Sequence, residues 1–155
     1  MAWQNLPSTS TPLNDTNLNS LDNSIIEGTW TPTISALSET APTVTYTTQV
    51  GKYKKIGKLV YVSFYIRVKI TALNGTNNYA IITGLPYTVG AITLGGQTCN
   101  IGVLYGAVAD DANCVFAFSG NIIRIQKSYG AVTTKWKVTS GSYCEIGGSG
   151  WYYVD

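Results

Sequence analysis

The ionisable side chains of this chain are few and scattered, and histidine is absent altogether. Without an imidazole there is no Ser-His-Asp or Cys-His relay, no His-ligated zinc or iron, and no ordinary proton shuttle at neutral pH. Glycoside hydrolysis stays open in principle, since it needs only two carboxyl groups facing each other across about 5 to 9.5 Å. From Gly28 onward the carboxylates are Glu39, Asp110, Asp111, Glu145 and Asp155. Asp110 and Asp111 are neighbours, so a strand would aim them at opposite faces, and the following Ala112-Asn113 favours a turn. That turn lacks the spaced oxygen ligands of a calcium loop. Glu39 and Glu145 could meet in space, but no spacing in the sequence brings them together. Gly147-Gly148-Ser149-Gly150 leads into no helix and carries no Lys-Ser/Thr pair, so it reads as a flexible connection before a last strand and not as a phosphate cradle. The residues therefore predict a non-enzymatic chain with no catalytic set, no metal site and no cofactor.

What remains is binding through flat rings and neutral polar groups. The sequence holds 4 Trp and 11 Tyr, while only 12% of its residues are charged, about half the usual share. Aromatic faces beside Asn, Thr and Ser suit sugar rings, whose C–H faces stack while their hydroxyls hydrogen-bond. Tyr129, Trp136, Tyr143, Trp151 and Tyr152 are the candidate receptor or glycan contacts. In the closing run, Trp151 and Tyr153 share one facing and Tyr152 takes the other, with either set able to point outward. Lys52, Lys54, Lys55 and Lys58 form the one local concentration of charge. They read either as solvated lysines that discourage edge-to-edge strand pairing or as contacts to phosphate or an anionic glycan. With a net charge of +2 and basic residues otherwise dispersed, the electrostatic footprint of a nucleic-acid binder is missing. Cys99, Cys114 and Cys144 are odd in number and widely spaced. They suit neither a disulfide framework nor a zinc site and read as small apolar thiols, with one bridge left open.

The elements that must position these groups are strands. Val60, Val62, Phe64, Ile66, Val68 and Ile70 alternate with Tyr61, Ser63, Tyr65, Arg67 and Lys69, the period of two of a half-buried strand. From Gly28 on, strand signals recur every eight to twelve residues, separated by glycine and asparagine, with Asn74-Gly75 and Gly120-Asn121 as tight turns. Strands are expected near 29–35, 43–49, 52–56, 58–71, 78–83, 98–105, 114–119, 121–127, 132–139, 143–146 and 150–154. The fold class predicted is all-β, an antiparallel, jelly-roll-like β-sandwich over 28–155. Residues 1–27 form a short N-terminal arm, rich in Asn, Ser and Thr, where Leu18, Leu21 and Ile25 fall at the spacing of a narrow helical seam. Two heptads are too short to stand alone, so the arm reads either as an oligomerising or docking helix whose seam identical copies share, or as a disordered leader. No stretch has the length of a membrane span, and the start lacks the pattern of a secretion signal, which predicts synthesis in a cytoplasm.

Gly28, Trp30 and Pro32, then Tyr46, then Gly51, Tyr53, Lys55, Ile56 and Gly57, and finally Gly84, Leu85 and Pro86 occur in an order that resembles a β-module at the C-terminal ends of bacteriophage tail fibres and other phage structural proteins. The module's pattern is G-x-W-x-P, a Thr/Tyr-rich strand, G-x-Y-x-K/R-I-G and later G-L-P, and here it covers about sixty residues. The phrase TPLNDTNLNSLD is likewise similar to one near the N-termini or module joints of phage tail and baseplate proteins. The resemblance implies a virion protein made in a bacterial host: a short tail fibre or tail-tip subunit, homotrimeric, attached to other virion proteins through its arm and touching a host-surface glycan with its β-domain. A purely architectural virion protein, such as a head fibre, decoration or baseplate component, and a cellular carbohydrate-binding module are the alternatives.

Overall fold

The computed structural model of the protein describes residues 25–76, 78–90, 98–108, 114–127, 133–137 and 142–155. Every regular element among them is a strand: β1 (Ile25–Trp30), β2 (Thr33–Ala36), β3 (Thr43–Ile56), β4 (Leu59–Ala72), β5 (Ala80–Thr83), β6 (Thr98–Tyr105), β7 (Cys114–Ser119), β8 (Ile122–Lys127) and β9 (Cys144–Tyr153). They run in the order β1-β3-β4-β9-β6-β7-β8-β5-β2, every pairing antiparallel. The order folds into two sheets packed face to face, an antiparallel β-sandwich. The first sheet holds β1, β3, β4, β9 and most of β6; the second holds β7, β8, β5 and β2.

Two chain crossings make the corners of the sandwich. Strand β6 pairs with β7 at Thr98 and Cys99 and with β9 from Asn100 onward, so it changes sheets along its own length. At the opposite side, β1 is the outermost strand of the first sheet and β2 of the second, and only Thr31 and Pro32 separate them. Pro32 has no N–H to leave unpaired at the bend. Strand β3 secures this corner with side chains. Gln49 donates from Nε2 to the Pro32 carbonyl at 2.8 Å, and the Ile34 N–H donates to the Tyr46 hydroxyl at 2.8 Å. Edge groups of β2 that would otherwise lack a partner are thereby matched.

The core follows the alternation in β4. Val60, Val62, Phe64, Ile66, Val68 and Ile70 are all buried, while Tyr61 and Arg67 stand exposed. At roughly 1.5 to 3 kcal/mol per side chain, this one face contributes on the order of 10 kcal/mol as an upper estimate. Aromatic contacts bridge the sheets: Phe64 lies 5.5 Å from Phe116, and Phe118 lies 4.9 Å from Tyr152, between ring centroids.

The glycine-aromatic pattern of the first half has a direct physical basis. In the β1–β3 ladder, Gly28 is opposite Tyr53 and Trp30 is opposite Gly51. Each ring lies over the facing glycine: a Cβ at Gly28 would stand 2.6 Å from the Tyr53 ring, and one at Gly51 would stand 2.6 Å from Trp30 Nε1. The two pairs are reciprocal, an aromatic ring filling the space of the absent side chain in each direction. Trp30 is held there by a 3.3 Å bond from Nε1 to the Lys52 carbonyl and an edge contact with Phe64. Gly57, with φ near +57°, opens the two-residue turn that joins Ile56 to Leu59.

Several sequence expectations change. Strand β1 reaches back to Ile25, so Ile25, Ile26 and Glu27 pair with Ile56, Lys55 and Lys54 and belong to the sheet instead of the arm. Ile25 is thus in a strand and not a helical seam; Leu18 and Leu21 lie outside the described residues. The two strands expected between 43 and 56 are one, β3, with an irregularity between Tyr46 and Thr48. The expected strand near 29–35 is two, divided at Pro32. The strand expected near 132–139 is reduced, among the described residues, to isolated bridges at Thr133, Lys135 and Trp136. Gly147-Gly148-Ser149-Gly150 is not a flexible connection: it sits inside β9, paired with β4 throughout. A Cβ at Gly148 would meet the Asn100 carbonyl oxygen at 2.5 Å and the Phe116 ring at 2.8 Å, so the absent side chain is what lets β6 and Phe116 close in. Cys144 is buried and donates from Sγ to the Gly106 carbonyl at 3.1 Å.

Candidate functional site

The first sheet has one face in the core and one toward solvent, and strand parity decides which groups reach that outer face. On β4 the outward residues are Tyr61, Ser63, Tyr65, Arg67 and Lys69; on β9 they are Glu145, Gly147, Ser149, Trp151 and Tyr153. Strand β3 adds Val50, Lys52 and Lys54, and β6 adds Asn100 and Tyr105. Directly opposed residues form cross-strand rows. One row runs Glu27, Lys54, Tyr61, Trp151; the next, toward the β3–β4 turn, runs Ile25, Ile56, Leu59, Tyr153.

Of the ring residues expected to contact a ligand, the structure exposes two. Trp151 is 52% exposed and touches Tyr153 edge-on at 5.8 Å. Tyr143 is 44% exposed and lies 5.1 Å from the Arg67 guanidinium, in cation–π contact. Trp151 lies eight positions after Tyr143, about 27 Å at strand rise, so they sit toward opposite ends of the face. Trp136 and Tyr152 are corrections. Trp136 is buried, with Nε1 donating to the Ser35 carbonyl at 2.6 Å, and Tyr152 is fully buried against Phe118. Neither can meet a ligand on the folded surface. Tyr129 lies outside the described residues.

Burial sets the chemistry of Tyr152. Its hydroxyl donates to the Tyr87 carbonyl at 3.1 Å, and desolvation pushes its pKa up from 10.0 to about 12. The fold accommodates the neutral phenol, so the unfolded chain gives up its proton first. Stability present in full below pH 10 therefore falls as pH rises from about 10 to about 12, by on the order of 2 kcal/mol from this group. The Tyr152→Phe variant should lose about 1 kcal/mol at neutral pH, because the Tyr87 carbonyl loses its donor, and should show a shallower alkaline decline. Urea unfolding midpoints between about pH 8 and 11.5 read this directly. An equal alkaline slope in both proteins would contradict the assignment.

Carboxylates on the outer face are committed to local partners. Glu27 pairs with Lys54 at 2.6 Å, and Glu145 lies 3.7 Å from Arg67 Nε. Desolvation, with the nearby Glu145 charge, holds the Tyr65 hydroxyl above its usual range. Glu39 sits elsewhere, its carboxylate against Gly75 beyond the end of β4. From Arg67 to Ala72 alone the strand spans about 17 Å, so Glu39 and Glu145 do not face each other as a glycosidase pair would. Among the described residues, no cluster of three or more His, Cys, Asp or Glu could hold a metal ion. The residues Asp110 and Asp111 lie outside the described set.

The lysine run is not an edge guard, since β3 lies between β1 and β4. Lys52 and Lys54 point outward, while Lys55 shares the inward parity and reaches 5.6 Å from the Tyr87 ring. Beside Lys52 the outer face carries a shallow recess of about 250 Å³ lined by Val50, Lys52, Ser63, Phe64 and Tyr65. Tyr61, Tyr65 and Tyr105 were not among the expected contacts. Tyr61 and Tyr65 were marked by their place on the polar parity of β4, opposite in phase to its apolar set. For Tyr105, 67% exposed, no comparable signal exists in the sequence.

Compared with protein-family models, with curated proteins and with solved structures, the chain matches none. Among the described residues, no helix is long and apolar enough to cross a membrane.

Proposed function

We propose that this chain is a non-enzymatic structural subunit of a bacteriophage particle, a short tail fibre or tail-tip protein, whose β-sandwich contacts a host-surface glycan through the outer face of the first sheet. The single observation that carries the binding half is the composition of that face: exposed Tyr61 and Trp151 with the hydroxyls and amide of Ser63, Ser149 and Asn100, and exposed Tyr143 toward the other end. Rings and neutral hydrogen-bonding groups on one sheet face suit C–H stacking and hydroxyl recognition of sugars. The virion half rests on the resemblance of Gly28-to-Pro86 to phage fibre modules.

Attachment and homotrimeric assembly fall, in this reading, to the N-terminal arm, whose last three positions, Ile25 to Glu27, are the start of β1. Support comes from the spot where the arm meets the sandwich. Ile25, Ile26, Ile56, Leu59 and Tyr153 are all exposed there, and β1 is an outermost strand. Exposed isoleucines on an edge strand are an association hazard in an isolated domain, and contact with other copies or with the particle would cover them.

An immobilised glycan panel tests the binding half. The full chain should be retained by a subset of glycans, and Trp151→Ala should weaken that retention about tenfold, the loss of one well-placed aromatic contact, without moving the melting temperature by more than a degree or two. Retention by no glycan would instead favour the purely architectural virion role.

A further inference from the structure

The outer face of the first sheet carries an unbalanced charge. Lys52, Lys54, Arg67 and Lys69 point outward along β3 and β4, against two outward carboxylates, Glu27 and Glu145. Those carboxylates are taken by Lys54 and Arg67. Lys52 is different. It lies mid-strand, opposite Ser63 on one side and Thr29 on the other, and its ammonium has no ion-pair partner among the described residues. It also lines the recess, together with Val50, Ser63 and Tyr65.

The shape of the recess limits what could sit there. About 250 Å³ falls below the roughly 300 to 1,000 Å³ of pockets for drug-sized ligands, so it takes one ring or headgroup and not an extended cofactor. Its depth comes from small residues next to large ones. Lys52 is opposed to Ser63 and Val50 to Tyr65 across β3 and β4, so the small Ser63 sits among larger neighbours. Tyr65 is half-buried, so part of its ring stands as a wall of the recess. An apolar wall, a hydroxyl on the floor and an uncompensated cation at the rim describe a site for a ring that carries a negative charge.

We propose that this recess is a subsite for an acidic sugar, a carboxylate-bearing pyranose of the uronic or sialic acid type. The carboxylate sits on the Lys52 ammonium, the ring lies against Tyr65 and Val50, and Ser63 exchanges hydrogen bonds with a sugar hydroxyl. The inference rests on the glycan-binding reading of the same face and sharpens it from glycans in general to acidic ones. A lone rim lysine sets the size of the effect: an exposed ion pair is modest and salt-sensitive, so charge provides selectivity and the rings provide the rest.

The test uses the full chain on a panel of uronic- and sialic-acid glycans beside their neutral counterparts, with Lys52→Gln and Lys52→Arg as variants and sodium acetate as a free competitor. Expected are preferential retention on acidic glycans, about fivefold weakening in Lys52→Gln, retention in Lys52→Arg, and a fall in affinity as salt is raised. Lys52 is exposed and the bond from Trp30 uses its backbone carbonyl, so Lys52→Gln should melt with the parent, and near-UV circular dichroism checks that it does. Equal binding of acidic and neutral glycans, unchanged by Lys52→Gln, would overturn the acidic subsite while leaving the glycan reading standing. Binding to neither class would overturn both. Displacement by millimolar acetate as readily as by free glucuronate would reduce the site to a simple anion contact and overturn the sugar assignment.

Discussion

Alanine at Gly148 should destabilise the protein by about 3 kcal/mol, the upper end of what overpacking costs, and lower its melting temperature by about 6 to 12 °C. The added carbon would lie 2.5 Å from the Asn100 carbonyl oxygen and 2.8 Å from the Phe116 ring. A long flexible side chain could turn away from such an intrusion. A backbone oxygen cannot, because Asn100 is where β6 leaves one sheet and starts pairing with β9 in the other. Relief would require opening the corner of the sandwich or driving Phe116 away from Phe64. Gly102, in the same region, serves as the control: its added carbon would find nothing nearer than 3.4 Å, so Gly102→Ala should stay within about 0.5 kcal/mol. Chemical unfolding of both variants decides the matter, and matching losses at the two sites would refute the account of the corner.

The second large effect lies on the other side of Phe64, the cross-strand neighbour of both Gly148 and Gly51, and has a distinctive non-additivity. Trp30→Ala should cost about 3 to 5 kcal/mol, as for other buried aromatics cut to alanine. Gly51→Ala alone should cost about 1 to 3 kcal/mol, because its new carbon would lie 2.6 Å from a ring pinned by Phe64 and by the Lys52 carbonyl. Once the ring is gone, the clash has no partner. In the Trp30→Ala background Gly51→Ala should be neutral or stabilising by about 0.5 kcal/mol, since alanine loses less chain entropy in a strand than glycine. The double-mutant cycle should thus give a coupling of at least about 1 kcal/mol. Additive losses would mean that the ring does not depend on the glycine it covers.

These two sites also show which parts of the fold can be read without coordinates. The face of β4 was legible residue by residue, because alternation over a long run leaves a single register that buries the apolar set. Trp30 and Pro32 were legible as structural for a similar reason: a large ring and a residue without an N–H have few tolerable places. The glycines were not. Gly147, Gly148 and Gly150 read locally as a break, and only the neighbours that approach them, Phe64, Asn100 and Phe116, reveal a continuous strand. Missing that continuity also hid the facing of the C-terminal rings. Glu145 is polar and points out, so parity carried unbroken from it places Tyr152 inside and Trp151 outside. Trp136 had no such guide, since it lies in an isolated bridge and its burial depends on the distant Ser35 carbonyl. The outer face as a whole is assembled from β1, β3, β4, β9 and β6, which no local window contains.

The link of Thr31 and Pro32 between the two outermost strands bears on how the domain would carry mechanical load. A pull on the arm enters the sandwich at Ile25 and runs lengthwise along β1. The β1–β3 hydrogen bonds lie across that direction, so the six cross-strand pairs from Ile25 with Ile56 to Trp30 with Gly51 are loaded together in shear. Force that passes beyond Trp30 reaches β2 within two residues and is handed to the second sheet through its pairing with β5. Gln49 and Tyr46 add side-chain ties from β3 to that same junction. Load entering at Ile25 would therefore meet a ladder that must shear as a unit, at a junction braced by both sheets, before any strand could peel away.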